Sequence, residues 1–123
     1  MTIQELYAEI GGSYEQAVKI MKLDKMIDRY VRRLKSSSFD DQLAAASESM
    51  DPSALFETAH AMKGVCANLG LVKLAEAAHV ITEEFRPGAP RTLSDDEVCE
   101  KLKVLKDLYR KTIEGINRYE GNA

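Results

Sequence analysis

The chain has 123 residues, 45% of them hydrophobic and 30% charged, with a formal net charge of −3. That length supports one domain with its own core, and the composition excludes a disordered chain. The negative balance speaks against nucleic acid as the main partner, and no apolar run is long enough to span a membrane.

The opening "MTIQELYAEIGG" has no basic segment followed by an apolar one, so it does not read as a signal peptide. Thr2 with Glu5 and Ser13 with Gln16 are capping-box patterns, and Gly11-Gly12 breaks the chain between them. The first predicted helix carries Ile3, Leu6, Tyr7 and Ile10, and the second Tyr14, Ala17, Val18 and Met21. Leu23, Ile27, Tyr30 and Leu34 then recur at helical spacing until "SSS" closes the segment. Phe39, Leu43, Ala46 and Met50 repeat that spacing. Asp51-Pro52 is a start signal, a capping aspartate followed by proline at the first helical position. Leu55, Ala59, Met62, Cys66 and Leu69 form the next stripe, and Gly70 is its natural stop. Leu71, Leu74, Ala78, Ile81 and Phe85 follow, then the loop "RPGAPRT". Ser94 and Glu97 open a last helix that aligns Val98, Leu102, Leu105, Tyr109, Thr112, Ile116 and Tyr119.

No segment alternates with period two. The pattern predicts an all-α fold, an antiparallel four-helix bundle with additional short N-terminal helices. A single domain over 1–123 is expected, with residues 1–22 as a helical cap and 23–120 as the bundle. The two cysteines, Cys66 and Cys99, are far apart and form no C-x-x-C pair. A reduced, cytoplasmic protein is expected from that usage. Cys66 lies on a core stripe, and Cys99 is expected beside the core.

The stretch "ETAHAMKGVCANLG" combines a helical pattern with Gly64 at its centre, where glycine costs roughly 1 kcal/mol relative to alanine. His60 points more than a quarter-turn away from the apolar stripe of that helix. Phe56 stands one turn before it; Lys63, Gly64 and Ala67 stand one and two turns after it. A bare Gly64 leaves the imidazole open to a large partner. Free imidazole, with a pKa of about 6.5, is largely a neutral nucleophile at neutral pH. A lysine one turn away can pair with phosphate oxygens as a point charge. These residue types in this spacing point to a histidine that carries a phosphoryl group; the competing reading is a solvated surface histidine with a packing glycine.

"AHAMKGVCANLG" resembles the signature of histidine-containing phosphotransfer (HPt) domains, broadly H-x-L-K-G-x-x-x-x-x-G. His60, Lys63, Gly64 and Gly70 match it, Met62 replaces the leucine, and Asn68-Leu69 match a common "NLG" ending. "FDDQLAAASESMDPSALFETA" resembles the lead-in to the histidine helix, and "LVKLAEAAHVITEEFRPG" the helix after it. "ELYAEIGGSYEQAVKIM" and "KGVCANL" resemble a free-standing bacterial branch of the family. Val65-Cys66 departs from the Ser-Ala of many members, and the final helix matches only in length and apolar pattern.

The resemblance implies that His60 takes a phosphoryl group from an aspartyl phosphate on a response-regulator receiver domain and passes it to another receiver. Lys63 would stabilise phosphate charge, while Phe56, Gly64, Ala67 and Asn68 would form the docking surface. The partners implied are receiver domains and a hybrid sensor kinase, with no nucleic acid and no membrane, and a monomer is expected. The resemblance implies no cofactor on this chain, since Mg²⁺ belongs to the receiver. No Gly-rich nucleotide loop is present, so a phosphocarrier without kinase activity is expected rather than an enzyme.

Three other readings compete. Glu57-x-x-His60 and Glu76-x-x-His79 resemble the paired motifs of di-iron bundles, but both lie off their apolar stripes and on consecutive helices. Lys25, Arg29, Arg33 and the nearby Arg32 form a cationic face whose ordinary meaning is solvation, with receiver steering second and nucleic acid third. A non-catalytic helical adaptor that binds receivers or kinases is the main functional alternative.

Overall fold

The computed structural model describes residues 1–121; Asn122 and Ala123, the end of the expected domain, lie outside the described residues. Seven helices and no strands occur among the described residues: α1 Ile3–Ile10, α2 Tyr14–Met21, α3 Asp24–Lys35, α4 Phe39–Ser49, α5 Pro52–Asn68, α6 Val72–Glu84 and α7 Asp95–Tyr119. Helices α4, α5, α6 and α7 pack as a closed ring, each against the next and α7 back against α4. Short turns reverse the chain from α4 to α5 and from α5 to α6, and the loop over 85–94 reverses it into α7, which makes the ring an antiparallel four-helix bundle. The long α7 extends past this ring, where α1 and α3 cover it, while α2 packs on α3 and α5.

Local chemistry accounts for the helix boundaries. Thr2–Glu5 and Ser94–Glu97 form reciprocal capping boxes at the starts of α1 and α7. The Asp51 side chain accepts the Ala54 N–H at the start of α5, with Pro52 at the first helical position. Ser13 accepts from the Gln16 N–H at the start of α2, but the reciprocal bond expected of a capping box is not made.

The stripes predicted for α5, α6 and α7 are buried nearly as read. Leu55, Ala59, Met62, Cys66 and Leu69 face Leu71, Leu74, Ala78, Ile81 and Phe85 across the α5–α6 contact, and Val98, Leu102, Leu105, Tyr109, Thr112 and Ile116 close the core from α7. Two expectations are corrected. In α3 the inward face is Ile27, Val31 and Leu34; Leu23 caps the helix at 59% exposure and Tyr30 is only half-buried. The periodicity admits both phases, and packing on α7 selects the one that turns Val31 inward. Cys99 is exposed rather than set beside the core, because Val98 and Leu102 already fill the inward positions of α7.

Two ties hold the ends of α5 and α6. At the α5–α6 turn, Gly70 takes a left-handed φ of 70°, and its carbonyl accepts the Ser13 N–H at 2.7 Å. The buried Tyr7 hydroxyl donates to the Leu69 carbonyl at 2.6 Å, so α1 and the α1–α2 turn grip the end of the histidine helix. At the other end, the loop after α6 wraps around the buried Glu84. Its carboxylate accepts from the Thr92 N–H, the Thr92 hydroxyl, the Leu93 N–H and the Arg91 guanidinium. Burial pushes the Glu84 carboxyl up, but these bonds outweigh it and hold the pKa at about 2. A segment that reads as plain loop is thereby fastened to the bundle.

Candidate functional site

Helix α5 turns one face to the core and the other to solvent. Glu57, His60, Ala61, Gly64, Val65, Ala67 and Asn68 are exposed, while Phe56 and Lys63 are half-buried along the edge that meets α6. His60 therefore sits at the α6 side of the open face rather than in its middle. Around it, the helix presents small or absent side chains at Ala61, Gly64 and Ala67.

The setting of Gly64 distinguishes access from packing. A Cβ built there meets nothing within 4 Å, so no neighbouring element requires a glycine at this position. Helical side chains lean toward the N-terminus, so a side chain at 64 would lie over the turn that carries His60. The glycine removes the one side chain that would lie across the imidazole from that direction.

On the other side, the His60 ring rests against Phe56. The two ring centroids are 5.3 Å apart and the planes differ by 9°. The Arg86 guanidinium also lies over Phe56, 5.6 Å from its centroid, and is itself held by Glu83 at 2.6 and 3.3 Å. The bond from Arg86 holds the Glu83 carboxyl below the usual range, with smaller contributions from the fields of His79 and Lys63. Lys63, His79, Glu83 and Arg86 thus make a polar strip along the α5–α6 seam beside His60. The sequence reading singled out neither Glu83 nor Arg86. Their spacing of three, from the last turn of α6 to just beyond its end, was visible, but their position near Phe56 follows only from how the two helices pair.

The remaining candidates separate clearly. Ala67 and Asn68 extend the exposed face beyond Gly64. Asn68 also lines a groove of ≈ 680 Å³ with Val65 from α5, Leu69 at its C-cap, and Ile20, Met26 and Tyr30 from the N-terminal half. Ile20, Leu23 and Val65 are exposed large apolar residues at 49%, 59% and 40%. This apolar surface was missed; the off-stripe positions of Ile20 and Val65 were the available signal. Cys66 is buried, and burial pushes its thiol up to about 12, leaving it an inert core group. Among the described residues, no three His, Cys, Asp or Glu side chains come together as a metal-holding group. The two Glu-x-x-His pairs therefore do not converge as a di-iron plan requires. All four residues of the cationic face are exposed, and Arg32 among them pairs with Asp28 and Glu120.

Comparison with known proteins places this geometry in a class. The model of the Hpt domain family matches residues 28–114. The chain belongs to the Hpt domain family, whose members serve as phosphocarriers in histidine phosphotransfer of two-component signalling and interact with receiver domains and kinases. No curated protein and no solved structure matches the chain. No helix among the described residues is long and apolar enough to cross a membrane.

Proposed function

We propose that His60 is the phosphoryl acceptor of a relay between receiver domains, and that residues 1–123 act as one free-standing phosphocarrier domain. The observation that carries this reading is the exposed His60 beside a glycine with nothing packed on it, inside the segment matched by the Hpt family model. An unprotonated imidazole nitrogen attacks phosphorus while the P–O bond to the receiver aspartate breaks. The carboxylate leaves with the bonding pair, and the proton on the other ring nitrogen stays there or passes to water. Transfer to a second receiver is the same step reversed. Such a step depends on positioning and charge stabilisation rather than on a reactive centre peculiar to the carrier.

Lys63, one turn from His60 and off the core, supplies charge to the phosphoryl oxygens. Gly64, Ala67 and Asn68 form the docking surface, which the apolar groove at Val65 and Ile20 extends. Mg²⁺ and the aspartate come with the receiver, so this chain needs no metal or nucleotide of its own. The partners in this reading are receivers and a hybrid sensor kinase, and the protein works as a cytoplasmic monomer.

The test is incubation with a receiver charged by acetyl phosphate. An acid-labile, base-stable adduct is expected on the wild-type chain and on His79→Gln, and none on His60→Gln. Equal labelling of His60→Gln removes the assignment. A wild-type chain that binds charged receivers without accepting phosphate is the adaptor instead. Lys63→Ala should fold and bind the receiver normally yet transfer more slowly, with partial recovery in Lys63→Arg, where charge survives in a different geometry.

A further inference from the structure

An exposed histidine on a helix ordinarily samples two χ1 wells and a broad range of χ2. His60 has a reason not to. Its side chain leans toward the turn that bears Phe56, and there the rings lie nearly parallel, 9° apart in plane with centroids 5.3 Å apart. That separation exceeds a face-to-face contact, so the rings are slid past one another, an arrangement that aromatic pairs favour.

Phe56 is a firm surface for this contact. Its ring packs against the core cluster, and the Arg86 guanidinium lies over it at 5.6 Å. Arg86 is in turn fixed by two bonds to Glu83 on α6. The column from Glu83 through Arg86 and Phe56 to His60 ties the reactive ring to the neighbouring helix. The sequence reading placed Phe56 in the docking surface. Its half-buried ring is also engaged by groups of its own chain.

The geometry points to Phe56 as a positioning residue for His60, one that fixes the plane in which the imidazole nitrogen meets phosphorus. The lone pairs of an imidazole lie in the ring plane. Holding that plane parallel to Phe56 restricts the directions from which phosphorus can meet them, beside a Gly64 that has nothing packed on it. Near-attack geometry needs this alignment at the moment of transfer, and a ring that must first find it reacts more slowly. The inference rests on the reading of His60 as phosphoryl acceptor and adds the means by which the acceptor is aimed.

The experiment compares wild type, Phe56→Leu, Phe56→Tyr and Phe56→Met by NMR of the His60 ring protons and by single-turnover transfer from a receiver charged with acetyl phosphate. Receiver affinity is measured in parallel. Wild type and Phe56→Tyr should show the ring-current shift of a stacked imidazole, and Phe56→Leu should lose it. At saturating receiver, Phe56→Leu should transfer about 3- to 10-fold more slowly, the range that the loss of one aromatic pair implies. Its affinity should be unchanged, and Phe56→Tyr should restore the rate. Phe56→Met keeps bulk without a ring and should repeat the slow phenotype if Phe56→Leu lowers the melting temperature. A ringless variant with the wild-type maximal rate overturns the inference. So does a defect confined to affinity, which would return Phe56 to docking. A wild-type chain that takes no phosphate at His60 overturns the phosphocarrier reading itself, a separate outcome visible before any variant is compared.

Discussion

A Cβ built on Gly64 meets no atom within 4 Å, whereas one built on Gly70 falls 2.6 Å from the Ser13 carbonyl oxygen and 2.9 Å from the Ala17 nitrogen. Both glycines belong to one sequence motif on and just after α5. Gly64 is in regular helix, pays the helix-propensity cost, and satisfies no packing demand. Gly70 has a φ of 70°, where a side chain is strained, and the atoms it would strike are backbone atoms that cannot swing aside. In the proposed function the open middle of α5 serves access, while the tied end serves stability. An exposed reactive face is compatible with a fixed helix because the restraints lie at the ends, at Tyr7–Leu69 and in the loop held by Glu84.

That contrast breaks if the two glycines respond alike to substitution. Gly70→Ala should destabilise the fold by about 3 kcal/mol, from left-handed strain plus displacement of the α1–α2 turn, as read by urea denaturation. Wild-type stability in that variant would mean that the turn relaxes freely and the α5 terminus is not fixed. Glu84→Gln should cost about 2 kcal/mol, because charged hydrogen bonds to the loop are replaced by weaker ones.

Glu84 also sharpens the comparison through pH. Its carboxyl titrates at about 2 in the fold against an ordinary 4.5, so its contribution is complete above pH 4.5 and is lost as pH falls toward 2. The stability of the wild type should fall through that window more steeply than that of Glu84→Gln. Identical acid profiles for the two proteins would show that the carboxylate does not fasten the loop.

Gly64→Gln should have the opposite character to the changes at the ends. The helix should be as stable as wild type, or more so by up to about 1 kcal/mol. Transfer should fall by about 10-fold or more, since a side chain then leans over the imidazole and displaces the donor from near-attack geometry. Circular dichroism and single-turnover transfer read the two halves separately. Tyr7→Phe is the smallest of the set. It leaves the Leu69 carbonyl without its donor and should cost about 1 kcal/mol while transfer per folded molecule is unchanged.

Much of this arrangement is legible in the sequence because it depends on local periodicity. The α5, α6 and α7 stripes, the caps at Thr2, Asp51 and Ser94, and the stop at Gly70 all depend on residues within a turn or two of one another. The α3 face is harder, since Leu23 and Val31 both fit a helical spacing and only contact with α7 decides between them. Glu84 is illegible for another reason: a glutamate near a helix end looks solvated, and its partners lie in a loop without periodic pattern. Tyr7 and Leu69 are far apart in the chain, so no local rule connects them. The Phe56–His60 spacing is plain in sequence, but its meaning depends on Arg86 arriving from the end of α6.

The central claim is that one histidine, His60, carries the phosphoryl group. The most direct measurement is peptide mapping of wild-type protein loaded by a charged receiver, kept at alkaline pH so that phosphohistidine survives. The account predicts a single modified peptide with the phosphate on His60 and none on His79. Phosphate on His79, on a carboxylate, or on no residue of a chain that nonetheless binds the receiver would contradict it.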